Sequence, residues 1–367
     1  MHRVLLVGGT FDPIHNEHLR LAERTIQFLT LDEAWFVIAK TPRWKRGVTK
    51  SKTRLEMLEI ALKPYSNFHV CKVELESNQR HVNYSIDTIK HLQTIHPETK
   101  FFFLIGSDQL GELHRWKGIE ELCKQVQFVL VHRPNYPFHK TNFERYHVIE
   151  SPVNGREVSS TNIRLGALHE VPGEVQHYII QHGVYLDHIM KNTLPKNRYL
   201  HSKSVAKLAT KLAKANKMDV SQAYIAGILH DCAKHLPKDV QHAIMEMHFP
   251  NHLSYSPHVY HQFIGSYLAK EKYQINDQVI LNAIASHATA SNSMDKLAKL
   301  LYCADKIDPS RDYDSSALIE SCKKDIESGF CLVLQENIQY LRSKNIPIEP
   351  ITQLAVATYC NKEDFTE

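Results

Sequence analysis

Residues 4–19 read VLLVGGTFDPIHNEHL, and this stretch decides the fold of the first half of the chain. Its four apolar residues, 4–7, form a short run that is typical of a buried strand. Gly8 and Gly9 end the strand, and a helical pattern begins near His18. Because free backbone N–H groups and a helix start face the same place after such a turn, the stretch predicts an anion-binding loop.

Short apolar runs continue outward from this loop. Runs at 34–38, 101–105 and 128–131 are separated by longer amphipathic stretches. This alternation is typical of a parallel sheet whose strands are joined by crossover helices. From about residue 198 the strand-like runs stop, and apolar residues recur at helical spacing instead. The two halves of the chain therefore follow different structural patterns.

A length of 367 residues suits two domains, each large enough to bury an apolar core. We predict an α/β domain with a parallel sheet over 1–187 and an all-α domain over 198–367. The segment 188–197 is polar, contains Pro195 and shows no periodicity, so it predicts a linker.

The composition predicts a globular cytoplasmic protein. Hydrophobic residues make up 43% of the chain and charged residues 23%, which is ordinary usage. The start of the chain lacks the order of a signal peptide, and no apolar run reaches the roughly 20 residues that span a bilayer, so we expect no membrane partner. The 44 basic residues outnumber the 40 acidic ones by only four, and this small excess predicts no nucleic-acid partner.

Two further features of composition remain local. The seven cysteines are far apart and form no Cys-x-x-Cys pair, which predicts reduced thiols. A basic run over 43–52 predicts either a phosphate contact or a solvated loop, and the sequence leaves both open.

His15 and His18 lie three residues apart at the predicted helix start, so both imidazoles can face one phosphate. Taken alone, they could equally be surface histidines that cap a turn, since short motifs are weak signals. Residues 8–19 resemble the signature of the nucleotidylyltransferase superfamily, specifically that of nicotinate-nucleotide adenylyltransferase. Four later segments resemble further motifs of that family in the same order: 84–88 (YSIDT), 106–117 (GSDQL and LHRWK), 133–134 (RP) and 159–164 (SSTNIR).

The resemblance implies a Rossmann-like fold and adenylyl transfer from ATP to nicotinate mononucleotide, giving deamido-NAD and pyrophosphate. It implies no covalent enzyme intermediate, and a Mg²⁺ ion held mainly by the phosphates of ATP. The catalytic residues that it implies are His15, His18, Lys45 and Arg164. The substrate-binding residues that it implies are Gly8, Gly9, Thr10, Phe11, Ser85, Gly106, Asp108, Trp116, Arg133, Ser160 and Thr161.

Some of these roles also have a physical reason. Gly106 and Asp108 follow an apolar run, and open α/β sheets bind ligands at the carboxyl ends of their strands. Trp116 can stack on a pyridine ring, although a single tryptophan is more often part of a core. Ser160 and Thr161 read as a helix start that receives a phosphate, with an ordinary helix cap as the alternative.

Glu17 departs from the family pattern, which has glycine at this position. A carboxylate at the mouth of an anion site repels phosphate unless it points away, and its side chain can block close backbone approach. We therefore expect Glu17 either to impair adenylyl transfer or to alter substrate identity.

The second half contains a set of polar residues on apolar helices. His230 and Asp231 follow the apolar run 223–229, and a buried charged pair needs compensation, which a metal supplies. Four other residues fall on or beside apolar helical stripes: His201, His261, His287 and Asp305. A single histidine on such a face is more often a hydrogen-bonded core residue, but four histidines with two aspartates favour a metal site.

The order of these six residues resembles the HD phosphohydrolase superfamily, most closely the branch that hydrolyses diadenosine tetraphosphate symmetrically to two ADP. The resemblance implies two divalent metals, with iron favoured and manganese or zinc as alternatives. Two such metals activate water and stabilise the leaving oxygen. Lys234 and Arg311 are candidate phosphate contacts, with surface charges as the alternative.

Three hypotheses for the whole chain follow. The first joins two active enzymes whose partners are ATP, nicotinate mononucleotide and diadenosine tetraphosphate or a related nucleotide. The second keeps the transferase and makes the HD domain a nucleotide sensor without catalysis. In the third, Glu17 impairs the front half, and only the HD hydrolase is active.

Overall fold

The computed structural model describes residues 1–40, 47–76, 84–311 and 313–360. The chain divides into two compact units between His177 and Tyr178. The first unit contains a parallel sheet and the second is helical, so the predicted fold class is confirmed.

The first unit is built on a parallel sheet of six strands. The strands are β1 (His2–Gly9), β2 (Glu33–Ile38), β3 (Phe68–Cys71), β4 (Thr99–Gly106), β5 (Val126–His132) and β6 (Ile149–Asn154). Their order is β3-β2-β1-β4-β5-β6, with every pairing parallel. β1 lies at the centre, where Val4 pairs with Glu33 on one side and Phe101 on the other. The chain reverses its direction of winding between β1 and β4, so their carboxyl ends border a crevice of the kind that binds nucleotides.

The sequence pattern identified four of these strands and missed β3 and β6. Both lie at the edges of the sheet, where a strand is short and half exposed and so has a weak apolar signal. Pro152 within β6 also argues against a strand, although an edge strand tolerates proline.

Helices cover the sheet between these strands. They are α1 (Asn16–Leu29), α2 (Ser51–Leu62), α3 (Val73–Glu76), α4 (Ser85–Ile95), α5 (Ser107–Glu112), α6 (Ile119–Gln125), α7 (Lys140–Arg145) and α8 (Ser160–Arg164). α9 (Gly173–Gln181) contains the boundary between the units.

The second unit is a helical bundle with a large apolar core and a smaller apolar cluster that includes Met245 and Ile264. Its helices are α10 (Leu186–Thr193), α11 (Lys196–Ala215), α12 (Val220–Leu229), α13 (Lys238–His248), α14 (Tyr260–Glu271), α15 (Gln278–Ser286), α16 (Lys296–Lys306), α17 (Ser316–Lys324), α18 (Ile326–Ser343) and α19 (Pro350–Tyr359). Asp219, Asp277 and Asp295 precede α12, α15 and α16, and each accepts a backbone N–H of the first turn. In the described part of the chain, no helix combines the length and the apolar character needed to cross a membrane.

Two sequence expectations differ from the structure here. Much of the predicted linker 188–197 is helical, because α10 buries Leu186, Ile189 and Met190 in the core of the second unit. The expectation of reduced thiols is wrong for Cys331 and Cys360, which form a disulfide. The fold brings their Cα atoms to 5.6 Å across 29 residues of sequence, a proximity that cysteine spacing does not reveal.

Candidate active sites

The first candidate site lies at the carboxyl ends of β1 and β4. A Cβ atom on Gly9 would lie 2.7 Å from the ring of Phe11, so only glycine fits where the loop turns over that ring. The Phe11 side chain is buried against Phe36 and the edge of His18. It therefore supports the loop and the second histidine from below.

The two predicted histidines are brought together. Their rings stack with centroids 3.6 Å apart, and the backbone N–H of His15 donates to Nδ1 of His18 at 3.3 Å. A neutral His18 that accepts at Nδ1 carries its proton on Nε2, the atom that can donate to an anion. The pair lies at the start of α1, where the helix dipole also favours negative charge.

A buried arginine that the sequence analysis did not single out holds this loop. The guanidinium of Arg54 is 1% exposed and donates to the carbonyls of Thr10 at 2.6 Å, Ala39 at 2.9 Å and Thr49 at 2.9 Å. Asp12 accepts the backbone N–H of Thr49 at 3.1 Å. The loop after β1 is thereby tied to the chain that follows β2.

The start of α8 also contacts the loop. Ser159 caps the helix by accepting the N–H of Thr161 at 3.1 Å. The Ser160 hydroxyl donates to the carbonyl of Pro13 at 3.2 Å, and Arg164 donates to that of Asp12 at 2.7 Å. Three predicted residues, Ser160, Thr161 and Arg164, are therefore held beside the β1 loop although about 150 residues separate them from it.

The other predicted residues of the first unit lie after β4 and β5 or at the start of α4. Arg133 Nε lies 3.5 Å from Asp108 Oδ1, and its backbone N–H donates to Ser107. Trp116 contacts Phe103 and Phe128 edge-on and stays half-buried, so part of the indole remains accessible. Gly106 ends β4, and Ser85 begins α4. Lys45 lies outside the described residues.

Glu17 is buried and its charge is balanced. Arg20 donates Nε to Oε2 at 2.8 Å and Nη2 to Oε1 at 2.7 Å, and the backbone N–H of Arg156 donates to Oε1 at 2.7 Å. Burial alone would raise the pKa of the Glu17 carboxyl, but these hydrogen bonds and the arginine charges lower it below its ordinary value. The carboxylate is thus ionised and paired, so the expected repulsion of phosphate is compensated.

The second candidate site brings all six predicted metal ligands into one cluster. Two sets of three have ligand atoms within 4.8 Å of one another: His201, His230 and Asp231, and Asp231, His261 and His287. Asp305 joins the first set, with Oδ1 3.1 Å from His201 Nε2 and 3.8 Å from His230 Nε2.

Asp231 offers one oxygen to each set. Its Oδ2 lies 3.7 Å from His230 Nε2, whereas its Oδ1 lies 3.4 Å from His261 Nε2 and 3.6 Å from His287 Nε2. The Asp231 carboxylate would therefore contribute to holding a cation in either set.

The opposite ring nitrogens are all engaged in hydrogen bonds, which aims each Nε2 into the cluster. The Nδ1 atoms of His230, His261 and His287 donate to the carbonyls three residues earlier at 2.7–2.9 Å. Such bonds fix the tautomer and orientation of metal-binding histidines.

The unsatisfied atoms of the cluster also fit metal ligands. Within the described residues, His230 Nε2 and both carboxylate oxygens of Asp231 are buried and make no hydrogen bond. Lys234 Nζ approaches Asp231 Oδ1 to 3.3 Å, but only as an ion pair. Buried polar atoms without hydrogen bonds are costly, so the donor set favours bound cations.

The electrostatics keep most of these groups in the ligand form. Burial lowers the pKa of His230 to about 4, so this imidazole is neutral. Burial would raise the pKa of Asp231, but nearby histidines and Lys234 hold it well below its ordinary range. Burial likewise disfavours protonation of His201, yet hydrogen bonds to Asp305 and Asp308 raise its pKa to about 9.

Asp308 is a site residue that sequence reasoning missed. It is fully buried, and its Oδ2 lies 2.9 Å from Nδ1 of His201. Ser204 and Ser310 also donate to it. The motif D-K-I-D at 305–308 carried a weak signal, since a second acid follows the predicted ligand by three residues.

Among the described residues, four cationic side chains approach the carboxylates of the cluster. Arg311 donates to Asp305 Oδ1 at 2.9 Å, and Lys306 donates to its Oδ2 at 3.0 Å. Arg198 and Lys234 approach Asp231 to 3.5 Å and 3.3 Å. These cations exceed the two ligand carboxylates in number, so the rim favours anionic substrates.

Comparison with known proteins agrees with this two-site arrangement. A cytidylyltransferase-like family model matches residues 6–166, and an HD-domain model matches residues 198–310. A Bacillus mycoides protein named "probable nicotinate-nucleotide adenylyltransferase" is 35% identical over 193 residues, covering 50% of this chain and 99% of its own length.

Two relatives match nearly the whole chain, and both are named "probable nicotinate-nucleotide adenylyltransferase/Ap4A hydrolase". The protein from Mycoplasma genitalium is 31% identical over 91% of this chain and 97% of its own. That from Mycoplasma pneumoniae is 32% identical over 92% of this chain and 99% of its own. This chain therefore belongs to the family in which a cytidylyltransferase-like domain precedes an HD domain, the family of nicotinate-nucleotide adenylyltransferase/Ap4A hydrolases.

Proposed function

We propose that the first unit transfers the adenylyl group of ATP to nicotinate mononucleotide, and that the second hydrolyses diadenosine tetraphosphate or a related nucleotide. The observation that carries this proposal is the identity of 31–32% over more than nine-tenths of the chain to proteins named for both activities. The two candidate sites supply the chemistry that each activity needs.

In the first reaction a phosphate oxygen of the mononucleotide attacks the α-phosphorus of ATP. The bond from that phosphorus to the oxygen bridging the β-phosphorus breaks, and pyrophosphate leaves with the electron pair. No protein nucleophile is required, so the site must position two anions and stabilise developing charge. The β1 loop and the start of α8 offer backbone N–H groups, imidazoles and a guanidinium for this purpose.

Roles follow for the residues at this site. His15, His18 and Arg164 stabilise the phosphates of ATP, together with the α8 start at Ser160 and Thr161. Lys45, which lies outside the described residues, is proposed to act with them, and Mg²⁺ enters as the ATP complex.

The remaining substrate-binding residues follow the same logic. Gly8, Gly9 and Thr10 provide the backbone of the loop, and Phe11 supports it from below. Trp116 contributes an exposed face for the pyridine ring, while Gly106, Asp108, Arg133 and Ser85 border the crevice at the ends of β4 and β5 and at the start of α4.

In the second reaction water adds to a phosphorus of the polyphosphate chain and one phosphoanhydride bond breaks, which gives two ADP from diadenosine tetraphosphate. The six clustered residues would hold two divalent cations. Their mixed imidazole and carboxylate donors suit first-row metals, and the resemblance to the HD superfamily favours iron, with manganese or zinc as alternatives. Such cations supply the Lewis acidity for this hydrolysis. Arg198, Lys234, Lys306 and Arg311 would bind phosphate oxygens of the substrate.

Purified full-length protein tests both halves. It is incubated with MgATP and either nicotinate or nicotinamide mononucleotide, and separately with diadenosine tetraphosphate after loading with Fe²⁺, Mn²⁺ or Zn²⁺. We expect deamido-NAD and pyrophosphate in the first assay, and two ADP in the second that a chelator abolishes.

Each negative outcome removes one half of the proposal. Absence of a dinucleotide, with hydrolysis intact, would favour the hypothesis of an impaired front half. Binding of diadenosine tetraphosphate without cleavage, under every metal, would favour the hypothesis of a nucleotide sensor.

A further inference from the structure

Glu17 and Arg20 connect α1 to the end of β6 and to the segment that follows it. The guanidinium of Arg20 holds the Glu17 carboxylate with two hydrogen bonds, and its Nη2 also donates to the carbonyl of Asn154 at 2.6 Å. Glu17 in turn accepts the backbone N–H of Arg156, 139 residues away. The pair therefore forms hydrogen bonds to the backbone on both sides of Gly155.

The segment held by these hydrogen bonds leads directly to α8. Only three residues separate Arg156 from Ser160, and Ser160 and Arg164 bond the carbonyls of Pro13 and Asp12. The chain from 154 to 164 is thus fixed to α1 at its beginning and to the β1 loop at its end.

We propose that Glu17 and Arg20 form a positioning pair that sets the start of α8 against the phosphate-binding loop and so determines affinity for the triphosphate of ATP. This inference rests on the proposed adenylyl transfer. Glu17 does not contact substrate in this account. Its side chain links α1 to the segment before α8, and Arg20 balances its charge.

The geometry explains why a glutamate is suited to this position. A buried carboxylate is costly unless it is hydrogen-bonded, and bidentate pairing with arginine is among the strongest compensations. Glu17 is 6% exposed and accepts three hydrogen bonds, two from the guanidinium of Arg20 and one from the backbone N–H of Arg156. Loss of the carboxylate would leave the N–H of Arg156 without its acceptor and free the start of the α8 segment.

The test compares Glu17→Ala, Glu17→Gln and Arg20→Met with Glu23→Ala, a matched control that removes an exposed carboxylate from the same helix. Initial rates of deamido-NAD formation are measured against ATP and against nicotinate mononucleotide, together with the melting temperature of each variant. We expect Glu17→Ala to raise KM for ATP by about tenfold or more, since small misplacements of binding groups cost up to about 100-fold.

The other variants sharpen the expectation. KM for the mononucleotide should change by less than about twofold, since α8 is assigned to ATP. Glu17→Gln keeps an acceptor for Arg156 and should lie between wild type and Glu17→Ala. The double variant of Glu17→Ala and Arg20→Met should be no worse than the more severe single variant, because the two residues act as one unit.

Several results would overturn the inference. They are an unchanged KM for ATP in Glu17→Ala and Glu17→Gln, a loss of kcat that merely parallels a falling melting temperature, or a gain of turnover on removing the carboxylate. Should wild type form no dinucleotide, the proposed function fails separately, and equilibrium binding of α,β-methylene-ATP to wild type and Glu17→Ala still decides the positioning claim.

Discussion

Replacing Asp308 with alanine is expected to weaken metal binding at the His201 side of the cluster by about 10–100-fold. The Asp308 carboxylate accepts from His201 Nδ1 at 2.9 Å and is fully buried. A hydrogen bond to a charged group is worth about 1.5–3 kcal/mol, and each 1.4 kcal/mol is tenfold in affinity. The same range is typical for loss of the carboxylate behind a ligand histidine.

Manganese binding to the full chain provides the assay. Free Mn²⁺ is followed by its electron paramagnetic resonance signal during titration, which reports affinity and stoichiometry without catalysis. Asp314→Ala is the matched control, because Asp314 lies on the same loop, is exposed and is hydrogen-bonded locally to Ser316. Adenylyl transfer in the same samples reports on the first unit and should be unchanged.

The reasoning would be refuted by an Asp308→Ala variant that binds Mn²⁺ within twofold of wild type. Equal weakening in Asp314→Ala would also count against it, because the effect would then come from the charge of the loop. A melting temperature for metal-free Asp308→Ala close to that of wild type excludes unfolding as the cause.

Three further predictions concern the scaffold. Asp231→Ala should reduce metal content at both sets of ligands, measured by elemental analysis after dialysis, whereas retention of one full equivalent would contradict a role for Asp231 in both sets. Gly227→Ala should destabilise the second unit by about 1–3 kcal/mol in urea unfolding, since its Cβ would meet Ala206 Cα at 2.6 Å. Gly173→Ala, whose Cβ meets no described atom within 4 Å, should be neutral by comparison. Arg54→Met should lower the free energy of unfolding of the first unit by at least about 3 kcal/mol and raise KM for ATP, because buried carbonyls lose their donor. An unchanged free energy of unfolding would contradict this.

The sequence was most informative where polar residues interrupt an apolar context. His230 and Asp231 stand at the end of a helix that buries Ala223 and residues 225–229, so their own burial followed from the pattern. The loop after β1 predicted an anion site, and its resemblance to a family signature, followed by four further segments in the same order, favoured that interpretation over a capped turn. In both cases the residues that allowed the prediction are neighbours in the sequence and lie together at one candidate site.

The sequence did not reveal the edge strands or the disulfide, because these features depend on contacts between distant parts of the chain. β3 and β6 have little apolar contrast because each pairs on one side only. Cys331 lies in α18 and Cys360 follows α19, so their proximity depends on how these two helices pack. The predicted linker failed similarly, because the apolar face of α10 is recognisable only once the core that covers it is known.

Residues that position the sites form a third class, and they share one property. The sequence analysis expected Glu17 to repel phosphate and did not single out Asp308 or Arg54. Each is buried, and each has at least one hydrogen-bond partner that is remote in the sequence, as in the contact of Glu17 with Arg156 across 139 residues. A buried charge is tolerated only when the fold supplies such partners. Each of these residues therefore fixes the distance between two parts of the chain. In this chain the three distances are those between the β1 loop and the chain after β2, between α1 and the segment before α8, and between α11 and the end of α16. Both candidate sites therefore depend on buried charges that do not themselves take part in the chemistry.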